Sequence, residues 1–416
     1  MSRAELSVHC FVSQNRPDLR IYHSNFGERQ RPTVAVLLSG GEKFSAYYGG
    51  ALARWTYEVY SRLVNTVDVT IFGAPTHDED LYPLSHESSQ IWRACNFVRR
   101  IPVARRYEDQ LWLRSLLPRL REFDLLHIHN RPQWIAILRN MGYRGQLLLH
   151  LQNDHLGHWS SQMLHDLALR VDRVVVCSRF LRDCFAPRSP ALAAKTSVVF
   201  NGVNREIFFP REEIRQCKTI FFVGRLDAEK GVLPLMQAYA RVLRDHPDTT
   251  LVIGGSTGFG IHEETTYSRR VRELANSVTQ SSKGKIVFTG YIHHDRDLPS
   301  WFQRATIFTS PSLFQEPFGL VNAEAMACAI PVVGSNRGGI PEVLGNTGRL
   351  VDPEDIENFA AILSALLAQP DERAQLGAAA YERCGKMFDW RLIAENFAAL
   401  LEDAVHPTNR LAQLGT

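Results

Sequence analysis

Two glutamates near the C-terminal end of the chain have the spacing of a ligand-binding pair. Glu316 and Glu324 lie on either side of the step Pro317-Phe318-Gly319-Leu320. The glycine and the alanine-rich run after it predict a helix that begins at this step. The free backbone N–H groups of a helix start favour a phosphate or another electron-rich oxygen. The segment therefore predicts a site for a polyhydroxylated, phosphorylated ligand.

Two cations upstream can complete this site. In VGRLDAEKGV (223–232), Arg225 follows a predicted strand and Lys230 precedes a predicted helix. Cations that converge at a strand–helix junction can neutralise a diphosphate and a leaving group. Taken alone, the segment also fits an ordinary loop with solvated charges, and the glutamate pair favours the diphosphate site. Glycines at two strand ends, Gly254-Gly255 and Gly338-Gly339, permit a close approach of ligand and backbone.

The elements that must position these residues alternate between short apolar runs and helical patterns. Such alternation predicts βαβ units with parallel sheets. We therefore expect an α/β chain with two doubly wound, Rossmann-like domains that face a central cleft, where a ligand lies at the carboxyl ends of the strands. Strands are predicted at 33–40, 67–73, 123–130, 145–153, 171–178, 218–224, 249–255, 285–290, 306–312, 330–335 and 348–352. Helices are predicted at 50–64, 107–121, 231–245, 263–278, 319–328, 355–368, 371–386 and 389–405.

A cluster of Asn, Gly and Pro at 198–210 marks the expected boundary between the domains. The N-terminal domain is predicted at 1–202 and the C-terminal domain at 203–388, with 389–416 packing back on the first. Residues 1–31 do not fit the alternation and are expected to form an extension or an edge strand.

Composition excludes several classes of protein. With 416 residues, 45% of them hydrophobic and 22% charged, the chain predicts two globular domains without a bilayer-spanning run or a secretory signal. Its seven cysteines never form a Cys-x-x-Cys pair, which indicates a reduced, cytoplasmic protein without a disulfide framework or structural zinc. The net charge of +3 comes with no nucleic-acid-binding module, so no nucleic-acid partner is expected.

The positive charge is densest at 99–124. Arginines here alternate with apolar residues, and two interpretations stay open. The segment is either a helix lying on an anionic membrane at the inner face of the bilayer, or a core-packed helix with a solvated arginine face. The apolar residues concerned are Trp112, Leu113, Leu116 and Leu117.

The motifs together resemble the retaining nucleotide-sugar glycosyltransferases of the GT-B fold, family four. GRL..EKG, the Glu316/Glu324 pair and GGIPEVL (338–344) carry the resemblance, which covers about residues 33–405. FNGVNREIFFP (200–210), VVVCSRFLRD (174–183) and TGRLVDPED (347–355) match further family segments. The resemblance implies transfer of a hexose from a nucleotide diphosphate donor, by family frequency a UDP-sugar, to a hydroxyl acceptor. The expected setting is biosynthesis of cell-surface polysaccharide, lipopolysaccharide, glycolipid or a secondary metabolite.

Residue roles follow from the resemblance by matching positions. Arg225 and Lys230 would hold the diphosphate, Glu316 would position the transferred sugar and Glu324 would hold the ribose. No metal ion or other cofactor is expected. The other donor-site positions are the glycine loop Gly49 and Gly50, the strand-end Gly255, the base-contacting Tyr291 and Ile292, and the helix start at Phe318, Gly319 and Leu320.

One position departs from the family pattern. Where members commonly carry a histidine that meets the donor sugar, this chain has Gln152, with His150 two residues earlier. A two-residue shift along a strand keeps the side chain on the same face, so His150 is also a candidate for the cleft. An amide can donate to a sugar oxygen but cannot act as an acid. An inactive GT-B scaffold is therefore an alternative. A nucleotide-sugar epimerase and a phosphorylase are further alternatives, because one fold can host different enzyme classes.

Three weaker motifs have plain interpretations. Asp78-Glu79-Asp80 has the form of a metal motif but lies in a polar segment that predicts a solvated loop. His127 and His129 alternate on a strand, and without a third ligand at a suitable spacing they are expected to face the cleft rather than bind a metal. His293-His294-Asp295 is expected to be a surface turn.

Overall fold

The computed structural model describes residues 31–38, 42–45, 50–74, 81–88, 107–211, 218–256, 265–280 and 283–405. Gly49, the Asp78-Glu79-Asp80 motif and most of the predicted N-terminal extension lie outside these ranges. The described residues form two parallel sheets, which confirms the predicted α/β class.

The first sheet has seven strands in the order β3-β2-β1-β4-β5-β6-β7. They are β1 (Thr33–Leu37), β2 (Asp68–Gly73), β3 (His86–Ser88), β4 (Leu125–His129), β5 (Gln146–Leu151), β6 (Arg173–Val176) and β7 (Thr196–Val198). The central strands are nearly continuous runs of buried residues, because helices cover both faces of the sheet. The short strands β3 and β7 at the two edges were not predicted.

The second sheet has six strands in the order β10-β9-β8-β11-β12-β13. They are β8 (Thr219–Val223), β9 (Thr250–Gly254), β10 (Lys285–Gly290), β11 (Ile307–Ser310), β12 (Val332–Ser335) and β13 (Arg349–Val351). All six match predicted strands. In both sheets the strand order reverses direction in the middle, and such a switch point opens a crevice at the carboxyl ends of the strands.

Fourteen helices are present in the described residues. Those of the first domain are α1 (Ala51–Tyr60), α2 (Glu108–Leu120), α3 (Pro132–Asn140), α4 (Ser161–Arg170), α5 (Arg179–Asp183) and α6 (Pro190–Ala194). Those that follow are α7 (Val232–Asp245), α8 (Thr266–Gln280), α9 (Leu298–Arg304), α10 (Leu320–Ala327), α11 (Ile340–Leu344), α12 (Ile356–Ala368), α13 (Pro370–Met387) and α14 (Trp390–Val405).

The chain returns to the first domain at its end. Helix α14 packs against α1, and Trp390 and Phe397 join a buried cluster with Trp55 and Tyr60. The Trp390 ring lies so close to Gly202 that a Cβ there would come within 2.4 Å of it. Glycine at the domain junction is therefore required by the packing of the last helix.

The arginine-rich helix is packed in the core. Trp112 and Leu113 of α2 are buried, and Leu116 and Leu117 pack against the same core cluster. This corrects the membrane interpretation as far as its apolar face is concerned, because these side chains already contact the protein interior. Arg114, on the outer face of the helix, is exposed.

Two further features concern the setting of the fold. Within the described ranges, no helix has the length and apolar character needed to cross a membrane. Cys177, Cys184, Cys328 and Cys384 are free thiols.

Candidate functional site

A cavity of about 630 Å³ lies between the two domains. Residues that follow the strands of both sheets line it, so it occupies the crevice at their carboxyl ends. Predicted site residues that line it are Gly50, Gln152, Arg225, Lys230, Glu316, Phe318, Gly319 and Leu320. The cavity thus unites residues from segments up to 270 positions apart, counted from Gly50 to Leu320.

Lys230 and Glu316 form the central ion pair of this cavity. Lys230 Nζ lies 2.5 Å from Glu316 Oε2, and the two side chains are 20% and 21% exposed. Lys230 ends a short 3₁₀ turn, and the next residue, Gly231, has φ 70° in close contact with the carbonyl of Pro311. A side chain at position 231 would collide with that carbonyl. Glycine therefore allows Lys230 to approach the loop that carries Glu316.

Arg225 occupies the mouth of the cavity. Its guanidinium lies 3.0 Å from Asp227 Oδ2 and 3.7 Å from Glu229 Oε2, and its side chain is 52% exposed. Glu229 also accepts backbone hydrogen bonds from Leu313 and Phe314 through its carbonyl oxygen. The loop that holds both cations is thereby tied to the loop that precedes Glu316.

Helix α10 begins at the wall of the cavity, as the sequence predicts. Gly319 is its N-cap residue in the left-handed conformation, with φ 79°, and offers no side chain to cap the helix. Asn322 in the first turn is fully buried and accepts a 2.5 Å hydrogen bond from Ser310, while its Nδ2 has no protein partner within the described residues. The uncapped helix start and this amide both supply donors to the cavity.

Glu324 lies beside the main cavity, in a small enclosed space at the domain junction. Its Oε1 accepts a 2.7 Å hydrogen bond from His294 Nε2. His294 Nδ1 in turn lies 2.6 Å from Asp295 Oδ1, which also pairs at 2.5 Å with Arg54 of α1. This corrects the prediction of a surface turn at 293–295, because these residues connect the domains.

The charges of this network determine its protonation. Burial opposes protonation of His294, but the charge of Glu324 and the hydrogen bonds to Asp295 and Glu324 outweigh it and raise the pKa of His294 to about 9. The pKa of Asp295 is lowered: burial acts against the charged form, but the bond to His294 and the charge of Arg54 prevail. His294 is therefore an imidazolium at neutral pH.

Besides Glu324, three predicted donor-site residues of the described ranges lie outside the main cavity. Gly255 has φ 120° and would collide with the carbonyl of Gly224 if it carried a Cβ, so its role in the structure is close backbone packing. Tyr291 is 46% exposed, and Ile292 packs against Gly254. These residues follow β9 and β10 at the same edge of the second sheet, and their contact with a base stays a prediction.

The first-domain wall begins with an N-terminal cap of α1. Glu42 Oε1 accepts from the backbone N–H of Gly50 at 2.7 Å and of Ala53 at 3.3 Å. Burial raises the pKa of Glu42, and these two N–H donors act against the rise. Glu42 was not predicted as a site residue, since it is neither in a motif nor next in sequence to the helix that it caps.

Gln152 lines the cavity, and His150 does not. The backbone N–H of Gln152 donates to Asn130 Oδ1 at 2.7 Å, and its side-chain nitrogen Nε2 lies 2.9 Å from His150 Nε2. His150 is fully buried beneath α1, with its ring centroid 4.4 Å from that of Trp55. The expectation that His150 points into the cleft is therefore wrong, because strand β5 turns that face toward the first-domain core.

His127 and His129 are also fully buried, which corrects their expected placement in the cleft. Strand β4 pairs in parallel with β5, with His129 opposite His150, so the three rings share one face of the sheet. One ring nitrogen of each histidine lies within 4.8 Å of the corresponding nitrogens of the other two. The sequence could not reveal this third histidine, since strand pairing, and not spacing along the chain, brings it to the other two.

Other cavity residues carry polar groups that sequence reasoning missed. Arg131 Nε, His155 Nε2 and Asn201 Oδ1 are buried without a protein partner within the described residues, and all three residues line the cavity. The pKa of His155 is lowered, chiefly by burial and then by the neighbouring charge of Arg131. Their position directly after strands β4, β5 and β7 is the signal that would have identified them.

Comparisons with known proteins agree with this architecture. Residues 203–383 match the model for glycosyl transferases group 1, and residues 48–207 match that for glycosyltransferase family 4. Spore coat protein SA of Bacillus subtilis is 30% identical over 300 residues, which are 67% of this chain and 78% of that protein. An alpha-maltose-1-phosphate synthase of Mycolicibacterium smegmatis is 34% identical over 247 residues, 54% of this chain and 61% of the relative.

Solved structures show the same fold at low sequence identity. Anabaena HepE in complex with UDP and glucose has a TM-score of 0.68 at 18% identity, over 89% of this chain and 99% of that one. The sucrose-phosphate synthase of Thermosynechococcus elongatus has a TM-score of 0.69 at 21% identity, over 91% and 100%. With two facing parallel sheets, a cavity between them and both family models matched in order, this chain belongs to the group 1, family 4 glycosyltransferases of the GT-B fold.

Proposed function

We propose that this protein transfers a hexose from a UDP-sugar to a hydroxyl acceptor with retention of the anomeric configuration. The observation that carries the proposal is the meeting of Lys230, Glu316 and the start of α10 in one cavity, with Arg225 at its mouth. A nucleotide diphosphate sugar presents two phosphates and a polyhydroxylated ring to such a site. The similar Anabaena structure contains UDP and glucose, which supports the choice of donor.

The largest chemical task is to stabilise the departing diphosphate. Lys230 and Arg225 supply positive charge, and the backbone N–H groups at the start of α10 supply directed donors. When a diphosphate binds Lys230, the carboxylate of Glu316 is released from its ion pair. Glu316 then accepts hydrogen bonds from hydroxyls of the transferred sugar.

The reaction breaks the bond between the anomeric carbon and the diphosphate oxygen. An acceptor hydroxyl oxygen attacks the anomeric carbon on the same face from which the leaving group departs. The proton of that hydroxyl passes to the departing phosphate oxygen. Atoms and charge balance without an added reagent. Because the two cations and the helix start carry the phosphate charge, the proposal requires neither a divalent metal nor another cofactor.

The rest of the donor lies along the second domain. We assign the ribose to Glu324, whose second carboxylate oxygen, Oε2, is buried without a protein partner within the described residues. The hydrogen bond from His294 to Oε1 keeps this carboxylate in place. The base lies toward Gly255, Tyr291 and Ile292, and Gly50 approaches the phosphates from the first domain. The donor contact of Gly49, which lies outside the described residues, stays a prediction.

The acceptor is a precursor in the biosynthesis of a cell-surface polysaccharide, a lipopolysaccharide, a glycolipid or a secondary metabolite. Contact with an anionic membrane, at the cytoplasmic face, would use arginines of the 99–124 segment, of which Arg114, Arg119 and Arg121 are exposed in the described residues. Trp112, Leu113, Leu116 and Leu117 already pack in the core, so such contact would be mainly electrostatic and would weaken with salt. Flotation with anionic liposomes at low and high salt tests it.

A donor screen tests the proposal directly. UDP-sugars and GDP-sugars are added to the protein, and thermal shift and nucleotide release are followed, with and without EDTA. Release of UDP, unaffected by EDTA, and an α-linked product from an α-linked donor are expected. Isomerised nucleotide sugar would indicate an epimerase, and release of a sugar phosphate would indicate a phosphorylase. Absence of both turnover and thermal shift would indicate a scaffold. Each of these results would contradict the proposed transferase.

A further inference from the structure

A chain of hydrogen bonds connects the interior of the first domain with the cleft. The Tyr60 hydroxyl lies 2.9 Å from His127 Nδ1, and His127 Nε2 lies 3.1 Å from His150 Nδ1. His150 Nε2 lies 2.9 Å from the side-chain nitrogen, Nε2, of Gln152. Tyr60, His127 and His150 are fully buried, whereas Gln152 lines the cavity. The chain therefore has one end in the core and one at the proposed donor site.

Because burial keeps both imidazole rings neutral, all hydrogen bonds of this chain must run in one direction. Burial lowers the pKa of both His127 and His150 well below the ordinary value, with neighbouring histidines adding to the effect, so both rings are neutral. A neutral imidazole has one nitrogen that donates and one that accepts. If His127 donates through Nε2, His150 must accept at Nδ1 and donate through Nε2. Every bond in the chain thus points the same way, either toward Gln152 or away from it.

The Tyr60 hydroxyl selects the direction. Burial raises its pKa well above the ordinary value, so it keeps its proton. Within the described residues, its hydrogen-bond partner is His127 Nδ1. A buried hydroxyl that cannot donate leaves its proton unsatisfied, which is unfavourable. Tyr60 therefore donates to His127, His127 to His150, and His150 to Gln152.

The last bond determines how Gln152 faces the cleft. His150 Nε2–H requires an acceptor, and in an amide only the oxygen accepts. A half-turn about the last side-chain torsion exchanges the amide oxygen and nitrogen without changing the shape of the side chain. The oxygen then faces His150, and the NH₂ group faces the cavity.

We propose that Tyr60, His127 and His150 are positioning residues that hold the NH₂ group of Gln152 toward the cleft, where it donates to an oxygen of the transferred sugar. This inference rests on the proposed function for the identity of that oxygen, but not for the direction of the chain. It also explains how an amide serves at a position where the family resemblance predicts histidine. The buried histidines supply the orientation, and the amide supplies the donor.

A metal ion is the competing occupant of this cluster. The nitrogens of His127, His129 and His150 lie close enough together to hold one. However, the three ligands are neutral, and the cluster is enclosed by Trp55 and Phe397. A divalent ion there would keep its full charge in an apolar setting, which is strongly unfavourable. Two of the histidines are already satisfied by the hydrogen-bond chain, and His129 is 3.4 Å from Thr56 Oγ1.

Nitrogen NMR of the imidazoles tests the direction of the chain. Protein labelled with ¹⁵N-histidine is compared with Y60F, and the signals are assigned with H127N and H150N. In the wild type, His127 and His150 should both be neutral with the proton on Nε2. In Y60F, tautomers with the proton on Nδ1 should appear in both rings. Protons on Nδ1 in the wild type, identical tautomers in Y60F, or one equivalent of a bound transition metal would overturn the proposal.

A double-mutant cycle tests the link to the cleft. Y60F should lower kcat for sugar transfer by roughly fivefold, with little change in the KM of the donor, since one oriented hydrogen bond is weakened. In a Q152A background the same substitution should have no further effect. A structural defect would instead lower activity equally in both backgrounds, which would refute the positioning role. Y143F is the matched control, because the buried Tyr143 hydroxyl donates to the Phe123 carbonyl, away from Gln152.

The proposed function and the positioning role can be refuted independently of each other. If no sugar is transferred to any acceptor, the proposed function fails, while the tautomers of His127 and His150 still report the direction of the chain. If transfer occurs but the tautomers have the opposite direction, the positioning role fails alone.

Discussion

The two walls of the cleft hold their polar side chains in place by different interactions. The wall from the second domain uses charged groups that are partly exposed, with Lys230 paired to Glu316 and Arg225 paired to Asp227. The wall from the first domain also contains Glu42 and Arg131, but behind Gln152 it is supported by neutral, fully buried groups, in the chain from Tyr60 to His150. Ion pairs near solvent can exchange one partner for a ligand at modest cost, whereas a buried neutral chain keeps its geometry. The second-domain wall is therefore suited to bind a charged ligand, and the first-domain wall is suited to fix the orientation of Gln152.

Removing Lys230 should give the largest effect on the charged wall. K230A should lower kcat/KM for donor turnover about 10³-fold, because a cation facing the departing diphosphate is lost from a partly desolvated site. Steady-state kinetics measures the loss, and circular dichroism checks the fold. K218A is the control, since Lys218 forms an exposed pair with Asp248 away from the cavity. Nearly full activity in K230A would remove Lys230 from the diphosphate site.

Removing Arg225 should have a smaller effect. R225A should lower kcat/KM about 10²-fold, because its side chain is 52% exposed and solvent screens its charge more strongly than that of Lys230. The loss should decrease as salt is added, whereas that of K230A should change less. If R225A were more damaging than K230A, the leaving group would lie nearer the mouth of the cavity than we propose.

The pH dependence of stability tests the junction between the walls. Because the folded pKa of His294, about 9, is raised above the unfolded value near 6.5, protonated His294 stabilises the fold below pH 6.5. That stabilisation is lost as pH rises through about 9. We expect about 2 kcal/mol, allowing for partial solvent screening of the pair.

Urea unfolding of wild type and H294Q at pH 6 and pH 9.5 measures this contribution. The difference in unfolding free energy between the two proteins should be large at pH 6 and close to zero at pH 9.5. H165Q, a substitution of an exposed histidine on α4, should show no such dependence. An equal difference at both pH values would mean that His294 contributes packing and not charge.

A glycine substitution tests how far the charged wall depends on backbone conformation. G319A should destabilise the fold by about 1 to 2 kcal/mol, because a Cβ at φ 79° would be strained and would lie 2.6 Å from Asn322 Nδ2. G290A is the matched control, with φ 71° but no atom within 4 Å of the new Cβ. Thermal unfolding of both variants separates the contact from the strain. Equal losses would show that strain alone matters at the start of α10.

Much of the fold could be predicted from the sequence. The central strands of both sheets and the main helices follow from apolar runs and helical periodicity, which are local signals. The edge strands β3 and β7 were missed because each has only three residues, most of them polar, so that no apolar run marks them. Six helices of the described residues were not predicted: α3, α4, α5, α6, α9 and α11. Each has ten residues or fewer, so it shows little helical periodicity.

The charged wall was more predictable than the neutral one. Lys230, Glu316 and Gly319 lie in short motifs, since a loop that binds a ligand must carry its functional groups close together along the chain. His294 was misjudged because its partners, Glu324 and Asp295, give it a role that its neighbours in sequence do not indicate. His150 was misjudged because the resemblance predicted a histidine in the cleft, and strand β5 places this one in the core.

The sequence by itself determined the two-domain parallel architecture, the family and the cationic loop that faces the glutamate helix. These features depend on periodicity and on motifs within one loop or helix. The tertiary structure alone decided that three histidines share one face of the first sheet, that Gln152 and not His150 reaches the cleft, and that Arg54 connects to Glu324 through Asp295 and His294. The physical reason is that strand register and domain packing bring together residues whose separation along the chain carries no information about their contact.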